Sequence, residues 1–455
     1  YDFIRKRLTV QVSGKEGDIA ITKGALSVVL SICDRVETQS GIDNIGNWKD
    51  KLQAQYKELS NNGYRTLGVA YKPIDPGHSF TRDDEKGMIL LGFVVLFDPP
   101  KADIEATIGK LQGLGVKLKI ITGDNALVAA SLARQVGIKQ PQVLTGADLN
   151  KMTNAALIHK AIHTDIFAEV EPNQKERIVT IFKKSGYVAG FMGDGINDAP
   201  ALHVADVGIS VDSAVDVAKE AADIVLLSQS LDVLTDGIIE GRKTFTNTMK
   251  YIFMATSANF GNMFSMAGAS LIMPFLPLLP KQILLTNLLT DFPEMAIATD
   301  KVDDLNIRTP QRWDLHFIRR FMVIFGLLSS VFDYLTFGVL LFIVHANEKV
   351  FQTGWFTESV ISAILIVLVI RTRLPFFKSP PGRLLSYATL LILVFVLFIP
   401  LLPLSAWFGF TRLPLSYYGW MLLIILLYLF SAELAKRLFY KSMKKRMQKI
   451  PARNL

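Results

Sequence analysis

The residues best suited to chemistry form a glycine-rich turn with two acidic side chains. Residues 193–202 read Gly-Asp-Gly-Ile-Asn-Asp-Ala-Pro-Ala-Leu and follow an apolar run at 187–192 that predicts a strand. Ligands of open α/β sheets bind at the carboxyl ends of strands. Asp194 and Asp198 can therefore converge on one hard cation, and Mg²⁺ prefers one or two carboxylates with waters and phosphate oxygens. The alternative is a turn whose acids only cap the next helix, and the length of the string argues against it.

Two further polar elements precede this turn. The apolar run 117–121 ends in Thr122-Gly123-Asp124, where the threonine can donate its hydroxyl and backbone N–H to a phosphoryl oxygen. A helix N-cap explains Thr and Asp equally well, so this element alone predicts little. Lys175 would place a positive charge beside a phosphoryl group. The ordered combination of these elements with the acidic turn predicts a site that handles phosphate.

Short strands and helices alternate around these motifs from about residue 96 to 240. Apolar runs at 116–121 and 187–192 predict strands, and residues 126–135 predict a helix. Strands that alternate with helices predict a parallel sheet covered on both faces.

Residues 1–95 predict a smaller unit that mixes strands and helices. Runs at 8–12 and 19–22 are typical of strands, and residues 47–61 are typical of a helix. Cys33 is the single cysteine of the sequence, which excludes a disulfide scaffold.

The composition changes sharply near residue 250, after which long uncharged stretches dominate. The chain has 455 residues, of which 50% are hydrophobic, and its mean hydropathy is +0.32. A bilayer core requires about 20 apolar residues per helix, a length that these stretches reach. We therefore predict six membrane helices in residues 241–455, near 251–280, 282–299, 321–344, 355–370, 384–411 and 413–432.

The basic residues between these spans predict their orientation. Segments 301–320, 371–383 and 436–455 carry 5, 4 and 8 Lys or Arg residues, whereas each loop on the opposite side carries 1. Such an excess is typical of cytoplasmic segments, so we expect a plasma-membrane protein with both ends of its membrane region in the cytoplasm. The net charge of +8 then indicates contact with a lipid bilayer, and no nucleic-acid partner is expected.

Polar side chains interrupt the first two predicted spans. Asn259 and Asn262 lie in the middle of the first span. A charge at the bilayer centre costs about 2.5–3.5 kcal/mol on insertion scales, so Asp291 in the second span requires a partner or a function. Three- and four-residue spacing predicts one polar helix face in that span, formed by Asn287, Thr290, Asp291 and Glu294.

Three other residues of the membrane region bear on this interpretation. Pro293 removes a backbone donor and can free carbonyl oxygens for a cation. Asp333 lies in the middle of the third span and is a further candidate for a cation path. Glu358 lies near a helix end, where we expect it at the membrane interface. Hydrogen bonds between helices are the alternative explanation, and they account for the amides better than for Asp291.

In this order, Thr122-Gly123-Asp124, Lys175 and residues 193–202 resemble the phosphorylation domain of P-type cation-transporting ATPases, members of the haloacid-dehalogenase-like superfamily. Asp98-Pro99-Pro100 resembles the family's hinge motif between the nucleotide-binding and phosphorylation domains. Upstream residues look like the family's nucleotide-binding elements, namely Phe3, Arg5, Lys23, Gly24 and Arg65.

The resemblance implies a multidomain fold. Residues 1–95 would be the C-terminal part of an α+β nucleotide-binding domain, residues 96–240 an α/β Rossmann-like phosphorylation domain, and residues 241–455 an all-α bundle of six transmembrane helices. ATP and Mg²⁺ are the implied cofactors. Phe3 would stack on adenine, Lys23 would line its pocket and Arg65 would reach the phosphates.

The same resemblance assigns roles in phosphoryl transfer. Asp194 and Asp198 would hold the catalytic Mg²⁺, while Lys175 and Thr122 would stabilise the charge of the transferred phosphoryl group. The family transfers phosphate to the Asp of an Asp-Lys-Thr-Gly-Thr motif, which this sequence does not contain. Since that motif precedes the nucleotide-binding domain in the family, we expect an N-terminally truncated chain that is inactive alone.

The resemblance also implies a transported divalent cation. The first two spans would be the fifth and sixth helices of the pump, whose cation ligands match Asn259, Asn262, Asn287, Thr290 and Asp291. Calcium pumps typically have Glu at the position of Asn262, so its neutral amide argues against Ca²⁺. Three strings resemble the magnesium-transporting branch, at residues 312–314, 329–333 and 370–373.

Other functions remain open at this point. A calcium or proton pump of the same superfamily is the nearest alternative. A membrane-anchored phosphatase would not require the nucleotide-binding elements Lys23 and Arg65. A non-catalytic membrane scaffold would not require Asp194, Asp198 and Lys175 together.

Overall fold

A computed structural model describes residues 5–14, 17–75, 77–101, 104–228, 230–403 and 405–447. The chain divides into two compact units, Tyr1–Thr235 and Asp236–Leu455. Phe3, which we expect to stack on adenine, lies outside the described residues.

The first unit begins with six strands and two helices. They are β1 Arg7–Gly14, β2 Gly17–Ala25, α1 Leu26–Ser31, β3 Cys33–Thr38, β4 Gly41–Asn44, α2 Lys49–Asn61, β5 Arg65–Ile74 and β6 Met88–Leu96. The strands form one sheet in the order β1-β2-β5-β6-β3-β4. Strand side chains alternate between faces, and one face buries Ala70, Met88 and Leu90 against Val29 and Leu52 of the two helices. The strands predicted at 8–12 and 19–22 and the helix at 47–61 are confirmed.

The rest of the first unit alternates strands with helices. Its strands are β7 Ile120–Ile121, β8 Val143–Thr145, β9 Ile166–Ala168, β10 Gly190–Met192, β11 Val207–Val211 and β12 Ile224–Leu226. Its helices are α3 Ile104–Gly113, α4 Ala126–Gln135, α5 Gly146–Lys151, α6 Asn154–Ala161, α7 Pro172–Lys184, α8 Ala199–Val204 and α9 Asp216–Ala221. The helix predicted at 126–135 is confirmed.

These strands form two parallel sheets rather than the single sheet that the alternation predicts. Their orders are β7-β9-β8 and β10-β11-β12. Helix α7 packs on both, since Ile178 and Ile181 join the core of the first sheet and Val179 joins the core of the second. In the described part of the chain, one edge of β7 and one edge of β10 pair with no strand. Without a ladder partner there, the predicted strands at 116–121 and 187–192 shorten to two and three residues.

The second unit is helical. Its helices are α10 Leu231–Ile272, α11 Pro280–Ala296, α12 Asp304–Arg308, α13 Leu315–Gly338, α14 Glu348–Ile370, α15 Arg383–Phe398, α16 Ser405–Phe408 and α17 Leu415–Met447. Helix α13 continues as a π-helical turn at Val339–Ile343. Among the described residues, four helices are long and apolar enough to cross a membrane, at Leu315–Ile343, Glu348–Ile370, Arg383–Leu401 and Leu415–Met443.

The first two of the six predicted spans correspond to α10 and α11, which are not among these four helices. Helix α11 has only 17 residues. Helix α10 carries amide and hydroxyl side chains that lower its hydropathy. The structure therefore supports a helical membrane region with four apolar spans.

A buried ionic cluster joins the ends of several helices in this unit. The side chain of Asp300 is fully buried and accepts from Lys250 Nζ at 2.7 Å and from Arg371 Nη1 at 2.9 Å. The backbone N–H of Gly382 donates to Asp300 Oδ1 at 2.8 Å. Because removing one partner of a buried ion pair leaves an uncompensated charge, this cluster fixes α10, α11, α14 and α15 relative to one another.

A second buried carboxylate stabilises the six-stranded sheet. Only 4% of the Glu85 side chain is exposed, and its Oε2 lies 2.6 Å from Arg5 Nη1 and 2.7 Å from Arg7 Nε. Thr9 Oγ1 donates to Oε1 at 2.7 Å. Burial raises the pKa of Glu85, but the hydrogen bonds and the two cations outweigh it and hold the pKa below its usual value.

The ion pairs of Glu85 predict how the free energy of unfolding changes with pH. A carboxyl group whose pKa is lower in the folded state stabilises the fold at pH values above its pKa in the unfolded state, which is about 4.3. This stabilisation is lost as the pH falls through the pKa of the folded state. Glu85→Gln should therefore cost about 1–3 kcal/mol at pH 7, and the cost should shrink below about pH 4. Thermal unfolding of the detergent-solubilised chain at both pH values tests this. Glu58→Gln, at an exposed position of α2, is the control, and an equal cost at both pH values would contradict the prediction.

Candidate functional site

The acidic turn lies at the carboxyl end of β10 and is fixed to β11. The N–H of Gly193 donates to the carbonyl of Ile209 at 3.1 Å, and the hydroxyl of Ser210 donates to the carbonyl of Gly193 at 3.0 Å. The carbonyl of Asp194 accepts from the N–H of Val215 at 3.1 Å. These bonds hold the turn at the edge of the sheet where the sequence predicts it.

The two acids of the turn have different surroundings. Asp198 is buried; its Oδ1 accepts from Lys175 Nζ at 2.7 Å and its Oδ2 accepts from the N–H of Gly195 at 3.2 Å. Asp194 is exposed, and its carboxylate has no hydrogen bond or ion pair within the described part of the chain. The carboxylate of Asp194 is therefore accessible to a ligand, while the carboxylate of Asp198 already accepts from the ammonium group of Lys175.

Lys175 is positioned by the start of α7. Gln174 Oε1 accepts from the N–H of Glu171, which closes a capping box at the first turn. Gln174 Nε2 donates to the carbonyl of Gly146 at 2.9 Å and to Asn150 Oδ1 at 2.8 Å. These bonds fix the first turn of α7, and Lys175, with 17% of its side chain exposed, donates from there to Asp198.

Thr122 stands at the carboxyl end of β7 and belongs to the same framework. Its N–H donates to the carbonyl of Phe167 at 2.9 Å, and its own carbonyl accepts from Val170 at 3.1 Å, just before α7. The Thr122 hydroxyl donates to Asp124 Oδ2 at 3.1 Å and accepts from the N–H of Asp124 at the same distance. Gly123 between them is exposed. Hydrogen bonds between Thr122 and Asp124 therefore fix the loop, and the bond from Val170 joins it to the segment that leads to Lys175.

Two of the predicted nucleotide-binding residues share a face of the six-stranded sheet. Lys23 pairs with Val69 across β2 and β5, and Arg65 lies four residues before Val69 on the same strand. Because side chains alternate along a strand, Lys23 and Arg65 point away from the face covered by α1 and α2. Gly24 is required by packing, since a Cβ there would lie 2.5 Å from the carbonyl oxygen of Lys6.

Arg5 and Arg65 make ion pairs within the first unit. Arg5 holds Glu85, as described above, and Arg65 pairs with Asp124 of the loop after β7. The second pair links the open face of the sheet to the Thr122 loop. Sequence reasoning did not connect these two sites, because 59 residues separate the partners.

In the second unit, part of the predicted cation path lines a small cavity. Its volume is about 30 Å³, and its lining includes Asn262, Glu294 and Asp333. Asn259, Asn287 and Asp291 lie on exposed surface instead. Thr290 is half-buried, and its hydroxyl donates to the carbonyl of Thr286 at 3.1 Å. The structure therefore separates the predicted residues into an enclosed group and an exposed group.

Glu358 corrects the sequence analysis. Its expected interfacial position is wrong, because the residue is 1% exposed and lines the same cavity as Asp333. The reason is the start of α14, which reaches back to Glu348 and makes residue 358 a mid-helix position. A run of polar residues at 357–359 within a predicted span was the signal that could have identified it.

Neither candidate site brings three metal-binding side chains into one shell. Among the described residues, no group of three His, Cys, Asp or Glu side chains is placed to hold a metal ion. The acidic turn offers two carboxylates, which is a number that Mg²⁺ takes when waters or phosphate oxygens complete its shell.

Comparison with known protein families agrees with this geometry. A family model described as the cytoplasmic domain N of P-type ATPases matches residues 1–103. A second model, described as the C-terminus of cation-transporting ATPases, matches residues 275–438. Together the two matches cover more than half of the chain, which belongs to the P-type cation-transporting ATPases.

Curated relatives refine this assignment. Proteins described as "Magnesium-transporting ATPase, P-type 1" are 43% identical in Salmonella typhimurium and 42% identical in Escherichia coli, over 96% of this chain and 49% of each relative. A "Calcium-transporting ATPase" of Bacillus subtilis is 31% identical over 93% of the chain and 49% of the relative. The chain spans about half the length of these relatives, and among the three it is more similar to the magnesium-transporting ones.

The close packing of the acidic turn predicts how a methyl group added at Gly193 would change the stability of the chain. A Cβ at Gly193 would lie 2.5 Å from the Cβ of Asp198, whereas one at Gly190, the first residue of β10, would meet nothing closer than 3.7 Å. Gly193→Ala should therefore destabilise the chain by about 1–3 kcal/mol, and Gly190→Ala should cost less. Thermal unfolding of both variants measures the difference, and equal unfolding temperatures would disprove the packing argument.

Proposed function

We propose that this chain is the C-terminal part of an ATP-driven pump that moves Mg²⁺ across the plasma membrane through an aspartyl-phosphate cycle. The observation that carries the proposal is the contact of Lys175 Nζ with Asp198 Oδ1, 2.7 Å apart at the carboxyl end of β10. A lysine and two acidic side chains at this edge suit the position where an open α/β sheet binds its ligand. The relatives described as magnesium-transporting ATPases support the choice of substrate.

The residues of the turn fit a catalytic Mg²⁺. Asp194 is exposed and offers carboxylate oxygens that no described residue occupies. Bound Mg²⁺ would supply positive charge for the phosphate oxygens. Asp198 would be the second carboxylate ligand, oriented by Lys175 and the N–H of Gly195, because each of its oxygens keeps a further acceptor position.

Phosphoryl transfer requires positioning and charge more than covalent chemistry from the protein. We assign this role to Lys175 and Thr122, which the bonds around residues 167–170 hold in one framework. Lys175 would share its charge between Asp198 and the phosphoryl group. Thr122 would turn its hydroxyl from Asp124 to a phosphoryl oxygen.

The acceptor carboxylate would come from a strand that pairs with β7 or β10. In the described part of the chain, each of these strands has one unpaired edge, and α7 packs on both sheets. Tyr187 and Val188, just before β10, are 45% and 71% exposed. An apolar flank beside an unpaired edge is suited to a further strand.

ATP would bind on the open face of the six-stranded sheet. Lys23 and Arg65 share that face, and positive charges there suit the phosphates of a nucleotide. The pair of Arg65 with Asp124 then has a second role, because it brings the nucleotide face close to the Thr122 loop. In this interpretation residues 1–95 bind the nucleotide and residues 96–240 transfer its phosphate.

The membrane domain would comprise residues 241–455 and six spans, with α10 and α11 added to the four apolar helices. Asn259 on α10 and Asn287 and Asp291 on α11 are exposed in this chain. An exposed carboxylate at this depth is unfavourable against lipid, so further protein would cover it and complete the cation path. The excess of Lys and Arg at 301–320, 371–383 and 436–455 supports cytoplasmic ends.

A calcium pump is the second candidate, supported by the relative from Bacillus subtilis at 31% identity. The higher identity to the magnesium-transporting relatives and the neutral amide of Asn262 favour Mg²⁺. A phosphatase would leave the face with Lys23 and Arg65 without a role.

Phosphoenzyme formation tests the soluble site. In the full-length pump that contains this chain, Lys175→Ala should slow phosphorylation by ATP about 100-fold, since one electrostatic donor to the transferred group is removed. Lys184→Ala, at an exposed position near the end of the same helix, should match the wild type. Similar rates for the two variants would exclude Lys175 from phosphoryl transfer.

Flux measurements test the membrane path. Asp291→Asn should abolish ATP-driven Mg²⁺ movement in liposomes that hold a fluorescent Mg²⁺ indicator, because the exposed carboxylate of α11 is lost from the path. Asp304→Asn, at the exposed start of α12, provides the matched control. Unchanged Mg²⁺ flux in Asp291→Asn, or flux of Ca²⁺ in place of Mg²⁺, would refute the assignment.

A further inference from the structure

One residue between β9 and α7 has an unusual backbone conformation. Glu169 has a φ of 56°, in the left-handed region, and it is one of three non-glycine residues with positive φ in the described part of the chain. Left-handed backbone is unfavourable for a residue with a Cβ, whereas glycine adopts it freely. Strained residues of this kind are concentrated at functional sites. A glutamate at this position therefore indicates that its side chain has a role that glycine could not fill.

The side chain of Glu169 holds the start of α4. Its Oε1 accepts from Asn125 Nδ2 at 3.2 Å and from the N–H of Ala126 at 3.3 Å. Asn125 is the N-cap of α4, and its own Oδ1 accepts from the N–H of Leu127 at 2.8 Å. A carboxylate is favourable at a helix N-terminus, where unpaired backbone N–H groups carry partial positive charge. Glu169 therefore stabilises the first turn of α4 both directly and through its cap.

The backbone around Glu169 holds the loop that precedes α4. The N–H of Glu169 donates to the carbonyl of Asp124 at 2.9 Å, and the N–H of Val170 donates to the carbonyl of Thr122 at 3.1 Å. The carbonyl of Glu169 packs closely against α5, since a Cβ at Gly146 would collide with its oxygen. Residue 169 is therefore fixed from two directions, and it bonds to three successive residues of the chain, 124 to 126.

The bonds of Glu169 do not use the groups of this loop that the substrate would require. The hydroxyl of Thr122 donates to the carboxylate of Asp124, and Arg65 pairs with the same carboxylate. In the proposed function, Thr122 and Arg65 turn to the phosphates of ATP, so these contacts would be lost when the substrate binds. The bonds of Glu169 go to one backbone carbonyl, one backbone N–H and one side-chain amide, and they can persist.

We propose that Glu169 is a positioning residue that holds residues 122–126 at the end of β7, so that the hydroxyl of Thr122 stays beside the phosphoryl group that Lys175 also contacts. The part of this inference that concerns phosphoryl transfer rests on the proposed function. Glu169 acts through the loop and does not touch the substrate. The left-handed backbone is retained because one residue then provides both the N–H and the carboxylate that hold the loop.

Phosphorylation by ATP, in the full-length pump that contains this chain, measures the effect on the reaction. Glu169→Ala should lower the maximal rate about tenfold and leave the ATP concentration for half-maximal rate nearly unchanged, because a displaced group reduces rate more than binding. Glu169→Gln keeps an oxygen acceptor and should recover most of the rate. Glu176→Ala, at an exposed position of α7, is the matched control and should behave as the wild type does.

Glu169→Gly separates positioning from stability. Glycine adopts left-handed backbone without strain, so this variant should unfold at a higher temperature than Glu169→Ala. It also lacks the side chain, so it should be phosphorylated as slowly as Glu169→Ala. Phosphorylation rates that follow the unfolding temperatures of the Gln, Gly and Ala variants would show a purely structural role and overturn the proposal.

Hydrogen exchange gives a measurement that does not depend on activity. The N–H groups of Ala126 and Leu127 should exchange faster in Glu169→Ala than in the wild type, because their acceptors are lost or misplaced. Residues 154–161, which form α6, should exchange at the same rate in both proteins. Equal exchange of Ala126 and Leu127 in Glu169→Ala and Glu176→Ala would overturn the proposal.

The outcomes separate this inference from the proposed function. A wild-type pump that forms no phosphoenzyme refutes the proposed function, and faster exchange in Glu169→Ala would still support the hold on the loop. Faster exchange in Glu169→Ala together with phosphorylation at the rate of Glu176→Ala would refute the positioning role and leave the proposed function intact.

Discussion

The ion pair between Lys175 and Asp198 is the contact on which the candidate site of the first unit depends. It joins the first turn of α7 to the turn after β10, and both side chains are largely withdrawn from water. A charge-assisted hydrogen bond in such surroundings is stronger and more directional than one at the surface. Because α7 also follows directly on the segment that bonds to Thr122, this one contact fixes three separated motifs in a single arrangement.

The membrane unit contains two kinds of buried acid, and their difference is informative. Asp300 is matched by Lys250, Arg371 and a backbone N–H, so its charge is balanced within the protein and its role is to hold helices together. Asp333 and Glu358 line a cavity that has no Lys, Arg or His among its described lining residues. Burying a carboxyl group without a cationic partner is costly, so these two acids carry a cost that Asp300 does not.

Several features of the two units are suited to further protein. Among the described residues, β7 and β10 each have an unpaired edge that can accept a strand, and Asn259, Asn287 and Asp291 are exposed polar residues of α10 and α11. The chain spans about half the length of its curated relatives. In the proposed pump, the phosphate acceptor and the remaining walls of the cation path would occupy these surfaces.

The sequence by itself determined the positions of the motifs, the α/β alternation around them and the apolar spans, because strand ends, glycine turns and hydropathy are local properties. It predicted α4 and the first strands well, and it predicted a single site that contains Asp194, Asp198 and Lys175. Only the tertiary structure decided that Asp198 is held by Lys175 while Asp194 stays open, that Arg65 pairs with Asp124, and that Glu358 is buried beside Asp333 rather than at an interface. The reason is physical: those contacts join residues from about 20 to more than 50 positions apart, and burial depends on which helices pack together, which local pattern does not encode.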